Sequence, residues 1–71
     1  MNRRVYFNLL NGTETWLGIQ DIVDVIYEND LLTRIEFEEQ GDLFPYVKLN
    51  HIIVIGNKQD IDKQIEDVRN E

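Results

Sequence analysis

Tyr46-Val47-Lys48-Leu49-Asn50-His51-Ile52-Ile53-Val54-Ile55-Gly56 is the most apolar run of the chain, entered through Pro45 and closed by a glycine. Odd positions from Val47 to Ile55 read Val, Leu, His, Ile, Ile, and the even ones read Tyr, Lys, Asn, Ile, Val. The alternation is clean through Leu49. Beyond Asn50-His51 both faces become apolar, as in a strand covered on both sides. The stretch reads as two short strands joined by a tight turn at Asn50-His51, the second of them central and buried.

Such a strand needs neighbours, and residues 31–39 supply one. Thr33, Ile35 and Phe37 alternate with Arg34, Glu36 and Glu38, a half-buried strand with a charged outer face. Gln40-Gly41-Asp42 reads as the turn that joins it to 44–49 in a hairpin, and Pro45, which cannot donate to a ladder, belongs at a strand start or edge. Further upstream, residues 4–18 read as another hairpin. Asn11-Gly12 suits a two-residue type I′ turn, pairing Leu9 with Glu14, Phe7 with Trp16 and Val5 with Gly18. One face then carries Val5, Phe7, Leu9 and Trp16; the other carries Tyr6, Asn8, Leu10, Thr13, Thr15 and Leu17.

Between the hairpins, residues 19–28 admit two readings. Their β-branched content argues for a strand with Val23, Val25 and Tyr27 on one side. Asp21 suits a helix cap, and the i,i+4 pairs Ile22/Ile26 and Val23/Tyr27 tip the reading to a short helix near 20–28. After Gly56, Asn57 suits a cap for a helix over about 58–69, with Ile61, Ile65 and Val68 as a narrow apolar stripe. A helix of about 13 residues is marginal alone. It must dock, and the half-apolar outer face of the first hairpin is the expected place. Residues 1–56 thus read as a small β-rich domain and 57–71 as its amphipathic helix or tail.

With 71 residues and no cysteine, the core must be purely hydrophobic. Such a core supplies about 3–5 kcal/mol, which makes a homo-oligomer an expectation worth carrying. Fourteen Asp and Glu against seven Lys and Arg give a net charge of −7. That surface repels phosphate backbones and anionic membranes, so no direct nucleic-acid or membrane binding is expected. No apolar run approaches the ~20 residues of a membrane span, and no apolar h-region follows the basic start. The expected location is cytoplasmic.

Chemistry is sparse. Nucleophilic catalysis has no Ser or Cys to use, and the lone His51 reads as a structural turn residue donating to a backbone carbonyl. Glu36 and Glu38 share a strand face, but with Arg34 beside them they read as a solvated, charge-balanced face rather than an acid/base pair. Asp60, Asp62, Gln64, Glu66 and Glu71 imitate calcium-loop spacing; Ile65 stands where that loop needs Gly, and the periodicity is helical. Asn11-Gly12-Thr13 matches a glycosylation sequon and signifies only a turn here. The four glycines are dispersed, so no phosphate loop exists. No catalytic, cofactor or metal residue is assigned.

Aromatic residues carry more. Tyr6, Trp16, Phe44 and Tyr46 exceed what so small a core holds, and exposed aromatics anchor interfaces. Trp16 reads as the largest core residue, and Phe44 and Tyr46, flanking Pro45, as exposed contacts.

The strand, Asn-Gly turn and Gly-terminated strand from Leu9 to Gly18, with the late strand pair Val47–Ile55 broken at a corner, resemble SH3-like or Sm-like small barrels. The Gly12-to-Gly18 spacing is one residue longer than the Sm pattern, and the RNA-binding Asn and Arg-Gly positions have no counterpart. The resemblance therefore implies a fold and no RNA binding. Over roughly residues 4–56 the chain is also similar in style to short proteins of Gram-positive bacteria and their phages, a group with no shared activity to transfer.

These readings converge on a β-rich α+β fold of four to five antiparallel strands, an SH3-like or Sm-like open barrel or curled sheet, with a C-terminal helix. The expected function is a non-enzymatic protein-interaction module that binds a protein partner or itself. Its expected contacts are Tyr6, Leu17, Phe44, Tyr46, Glu36, Glu38, Ile61, Ile65 and Val68. The alternative is an acidic phage or mobile-element inhibitor that mimics nucleic acid, centred on Glu36, Glu38, Glu39 and Asp42.

Overall fold

The structure, a computed structural model, describes residues 3–71. Strands β1 (Arg4–Asn8) and β2 (Glu14–Gly18) form one antiparallel hairpin, and a single 3-10 turn (Ile19–Asp21) leads out of it. Strands β3 (Ile22–Asn29), β4 (Leu32–Gln40) and β5 (Val47–Ile55) form a second antiparallel sheet in the order β3-β4-β5. Helix α1 (Lys58–Arg69) follows. The two sheets touch through an isolated bridge between Leu9 and Val54. The described residues form a curled, β-rich α+β arrangement rather than a closed barrel.

The first hairpin differs from expectation by one residue, and much follows from that. Leu9 N–H donates to the Thr13 carbonyl (2.9 Å) and Gly12 N–H to the Leu9 carbonyl (3.0 Å). The loop therefore holds Leu10, Asn11 and Gly12, with only Gly12 at positive φ (87°). This is the three-residue connection with glycine in the left-handed position, not a type I′ pair. Asn11 favours it by accepting from both Thr13 N–H (3.0 Å) and Thr13 Oγ1 (2.6 Å). The extra loop residue slips the register to Val5↔Leu17, Tyr6↔Trp16 and Phe7↔Thr15. A one-residue slip exchanges the faces of a strand: Leu17 goes inside at 9% exposure and Trp16 outside at 59%.

Residues 22–29 are strand, not helix. The run Ile22, Val23, Val25, Ile26 fits a pleated surface better than a helical turn, and β4 offers a partner along its whole length. Two irregularities, at Ile22/Asp24 and Tyr27/Asn29, interrupt that pairing. Residues 31–39 behave as read, and β4 is the central strand, with Thr33, Ile35 and Phe37 buried.

The opening stretch is corrected in two respects. β5 passes through Asn50 and His51 without a turn, in unbroken register from Gln40↔Val47 to Leu32↔Ile55. It also lies at the sheet margin, and of its residues only Val54 is fully buried. Asn50 and His51 are polar where the strand is uncovered: both are exposed, Asn50 bonded to Glu39 and His51 on the outer face opposite Glu36. The apolar residues that follow divide between two environments. Ile52 and Val54 face the core, while Ile53 and Ile55 face outward.

α1 is capped as expected, with Asn57 Oδ1 accepting from Asp60 N–H at 2.9 Å. It docks, however, on the inner face of the hairpin. Ile61 and Ile65 join Val5, Phe7, Leu17, Ile35, Phe37 and Val54 in one core, with Val68 partly buried against it. The register slip explains the change of side, since it turned Leu17 rather than Trp16 toward the helix. Gln64 Nε2 donates to the Tyr6 carbonyl and Arg3 Nη1 to the Arg69 carbonyl (3.3 Å), pinning helix to hairpin. At the other end Gly56, at φ 130°, lets the backbone pass close to Ile61, and its carbonyl accepts from the buried Thr33 hydroxyl (2.9 Å). No helix among the described residues is long and apolar enough to cross a membrane.

Candidate functional site

The expected contact residues part company in the structure. Leu17, Ile61 and Ile65 lie in the core and present nothing to a partner. Val68 is half-buried at its margin. Tyr6 packs edge-on against Trp16, ring centroids 5.1 Å apart, on the outside of the hairpin. Glu14 beside it raises the pKa of the Tyr6 hydroxyl above its ordinary value. Phe44, 86% exposed, and Tyr46 stand on the loop between β4 and β5, with Leu43 equally bare. Tyr46 lies against Gly41, where a Cβ would strike its ring.

Glu36 and Glu38 face outward from β4, in a row that sets Glu36 between Asp24 and His51. Among the described residues no group of acidic, His or Cys side chains is placed to hold a metal ion. A groove of about 460 Å³ between β2 and the end of β4 includes Trp16, Asp21, Phe37 and Glu38 but not Glu36 in its walls, so the two carboxylates are not enclosed together. Glu39 faces the opposite way, toward Lys48 and Asn50. Four more acids lie along α1. The carboxylates that a nucleic-acid mimic would gather on one face are thus divided between faces.

Glu39 has a structural task. Gly56 N–H donates to the Leu31 carbonyl (2.8 Å), a pairing that turns the even-numbered backbone groups of β5 toward β4 and the odd-numbered ones toward the open edge. The edge-facing N–H of His51 is taken by Asn50 Oδ1 (2.8 Å). Asn50 Nδ2 donates to Glu39 Oε1 (3.1 Å), and Lys48 Nζ lies 3.2 Å from the same oxygen. The network guards the edge against strand pairing. The Asn50 amide first, then Lys48, holds the Glu39 carboxyl below its ordinary pKa, against an opposing desolvation. A lowered carboxylate pKa stabilises the fold above the unfolded value and loses that contribution as pH falls through the folded one. Urea midpoints of the wild type and Glu39→Gln are expected to differ slightly near neutrality and to converge in acid. A constant difference across pH would refute this.

A cluster of exposed aliphatic residues lies at the end of the molecule that holds the β1–β2 and β3–β4 turns. Leu10 of the first hairpin loop, Leu31 of the β3–β4 turn and Ile55 at the end of β5 are exposed by 64%, 76% and 53%. With Leu32 they line an open groove of about 540 Å³, edged by Asn29, Asp30, Asn57 and Asp60. A shallower groove of about 300 Å³ runs on from Leu10 along Ile52 and Ile53. Local polar chemistry sets the rim: Asn29 Oδ1 accepts from Leu31 N–H (2.9 Å), which fixes the turn and leaves Leu31 pointing away. Tyr27 donates its hydroxyl to Asp30 Oδ1 (3.2 Å), which raises the tyrosine pKa.

Neither Leu10, Leu31 nor Ile55 was marked as a contact by the sequence reading. The signal was present at two of them: Leu10 beside Asn11-Gly12, and Leu31 after Asn29-Asp30, are large apolar residues in turns, where polar residues are the rule. No family model, curated protein or solved structure matches this chain.

Proposed function

We propose that this chain is a non-enzymatic protein-interaction module whose contact surface is the groove between Leu10, Leu31 and Ile55. One observation carries the reading: three large aliphatic side chains, two from separate turns and one from the end of β5, stay exposed around a single concavity. Contiguous apolar patches of this kind on soluble folds mark contact sites, and an apolar floor with a polar edge is the anatomy of an interface. The likeness to small open barrels belongs to the same proposal, with two sheets bridged at Leu9 and Val54 and curled around one core.

The test is retention on the immobilised full chain, compared with the double variant Leu10→Ser/Leu31→Ser. Both positions are exposed, so the urea midpoint is expected to move by no more than about 0.5 kcal/mol equivalent. Protein retained by the wild type is expected to be lost from the double variant. Identical retention by both would overturn the groove as the contact surface.

A further inference from the structure

We propose that β2 is a docking edge: an extended, basic segment of a partner protein adds itself as a strand beside Glu14 and Trp16. The site adjoins the opposite end of β4 from the Leu10, Leu31 and Ile55 groove and does not depend on it.

The backbone carries the argument. Leu9 N–H donates to the Thr13 carbonyl (2.9 Å) and Ile19 N–H to the Arg3 carbonyl (2.8 Å). The odd-numbered residues of β2 thus bond to β1. In an antiparallel ladder the alternate ones, Glu14 and Trp16, then turn their N–H and C=O groups outward. Among the described residues β2 has β1 as its only strand neighbour, and no side chain bonds to those outward groups. The other margins carry guards. Gln64 bonds to the Tyr6 carbonyl on β1, and the chain just beyond β1 bridges β5 at Leu9. On β3 the Val25 N–H donates to Asp24 Oδ1 (2.9 Å), as the His51 N–H on β5 does to Asn50 Oδ1 (2.8 Å). An edge left open while its neighbours are blocked is a template for an added strand.

There is room beside it. β3 leaves β4 at the Ile22–Phe37 pair, while β4 runs on to Gln40 with β5 alone alongside. The groove of about 460 Å³ occupies this gap, walled by Trp16 and Gly18 on one side and by Phe37 to Gln40 on the other.

Charge sets the occupant's character. The walls include Asp21, Glu38 and Glu39 and no Lys or Arg. Glu39 is tied to Lys48, but Asp21 and Glu38 make no ion pair among the described residues. A Cβ at Gly18 would stand 2.9 Å from Asp21 Oδ2, so that carboxylate sits against the end of β2. A strand sends alternate side chains to one face, so Lys or Arg at alternate positions meets these carboxylates. The Trp16 ring, 59% exposed, offers a further surface to a cation. Pairing β2 with its own copy would set acidic walls against each other on a chain of net charge −7, which disfavours self-association here.

Amide NMR of the isotope-labelled full chain tests this, with a blocked peptide of alternating valine and lysine as the probe, about seven residues long to span β2. The largest shifts are expected at the Glu14, Trp16 and Gln40 amides, with slowed hydrogen exchange at the Trp16 N–H. An analogue alternating valine and glutamate is expected to bind about tenfold more weakly or worse. Glu38→Lys, at an exposed position, is expected to narrow or reverse that preference while leaving the urea midpoint unchanged. A lysine peptide N-methylated along its backbone is expected not to bind, which tests strand pairing without altering the fold. Absence of shifts at β2 up to millimolar peptide, equal binding of the methylated or glutamate peptide, or a preference that Glu38→Lys does not move would each overturn the proposal. So would a chain that dimerises through β2 without peptide. Shifts confined to Leu10 and Leu31 would overturn it while leaving the apolar groove's binding role standing.

Discussion

A chain ending at Gly56 is expected not to fold. Removing α1 strips Ile61 and Ile65, each under 5% exposed, from a core whose other members are Val5, Phe7, Leu17, Ile35, Phe37 and Val54. Truncating one buried isoleucine costs about 2–5 kcal/mol, and a core of this size supplies only about 3–5 kcal/mol in all. Loss of both therefore exceeds what the sheets retain, before the tie from Gln64 to the Tyr6 carbonyl is considered. The truncated chain is expected to lose near-UV circular dichroism, amide dispersion and any cooperative urea transition. A sigmoidal transition surviving truncation would mean that the two hairpins hold a core without the helix. The single substitution Ile65→Ala is the milder version, expected to bring the midpoint close to zero denaturant.

Leu17 and Trp16 give the second large effect, and its sign separates two registers. With the observed pairing, Leu17→Ala opens a cavity beside Val5 and is expected to cost about 2–5 kcal/mol. Trp16→Ala removes a larger side chain and costs only about 1 kcal/mol, because its ring meets Tyr6 on the outside. Under the two-residue Asn-Gly turn the order would be reversed, with tryptophan in the core and leucine outside. Urea titration of both variants decides it: a costlier Trp16→Ala would mean that Gly12 does not set the register the structure shows.

How far the sequence could be read follows from which forces are local. The helix over 58–69 and its Asn57 cap were legible, since a capping side chain and an i,i+4,i+7 stripe declare themselves within one segment. β4 was legible because its alternation is strict. The hairpin register was not, since Asn-Gly is compatible with a two- or three-residue loop and the choice rests on Asn11 bonding to Thr13. Residues 22–29 were misread because helical spacing and β-branching competed, and the presence of β4 as a partner decided the matter. The polar pair Asn50-His51 passed for a turn because polarity inside an apolar run has two causes, a bend or an uncovered stretch. The exposure of Phe44 and Tyr46 was legible from their place beside Pro45. The groove was missed because its walls come from two turns and two strand ends that only the tertiary fold assembles.

The bridge between Leu9 and Val54 has a consequence for how safely this chain reaches its native state. Ile52-Ile53-Val54-Ile55 is four successive β-branched aliphatics without a charge, the composition of segments that stack into fibrils when left unprotected. In the native fold the first hairpin lies across this quartet at the bridge, and Val54 is buried in the same core as Ile61 and Ile65. Until both arrive, the quartet is open to other unfolded chains. Solubility during synthesis or refolding is thus governed by the interval between pairing of β4 with β5 and closure of the two terminal segments, and a change that slows closure raises precipitation even if it leaves native stability untouched.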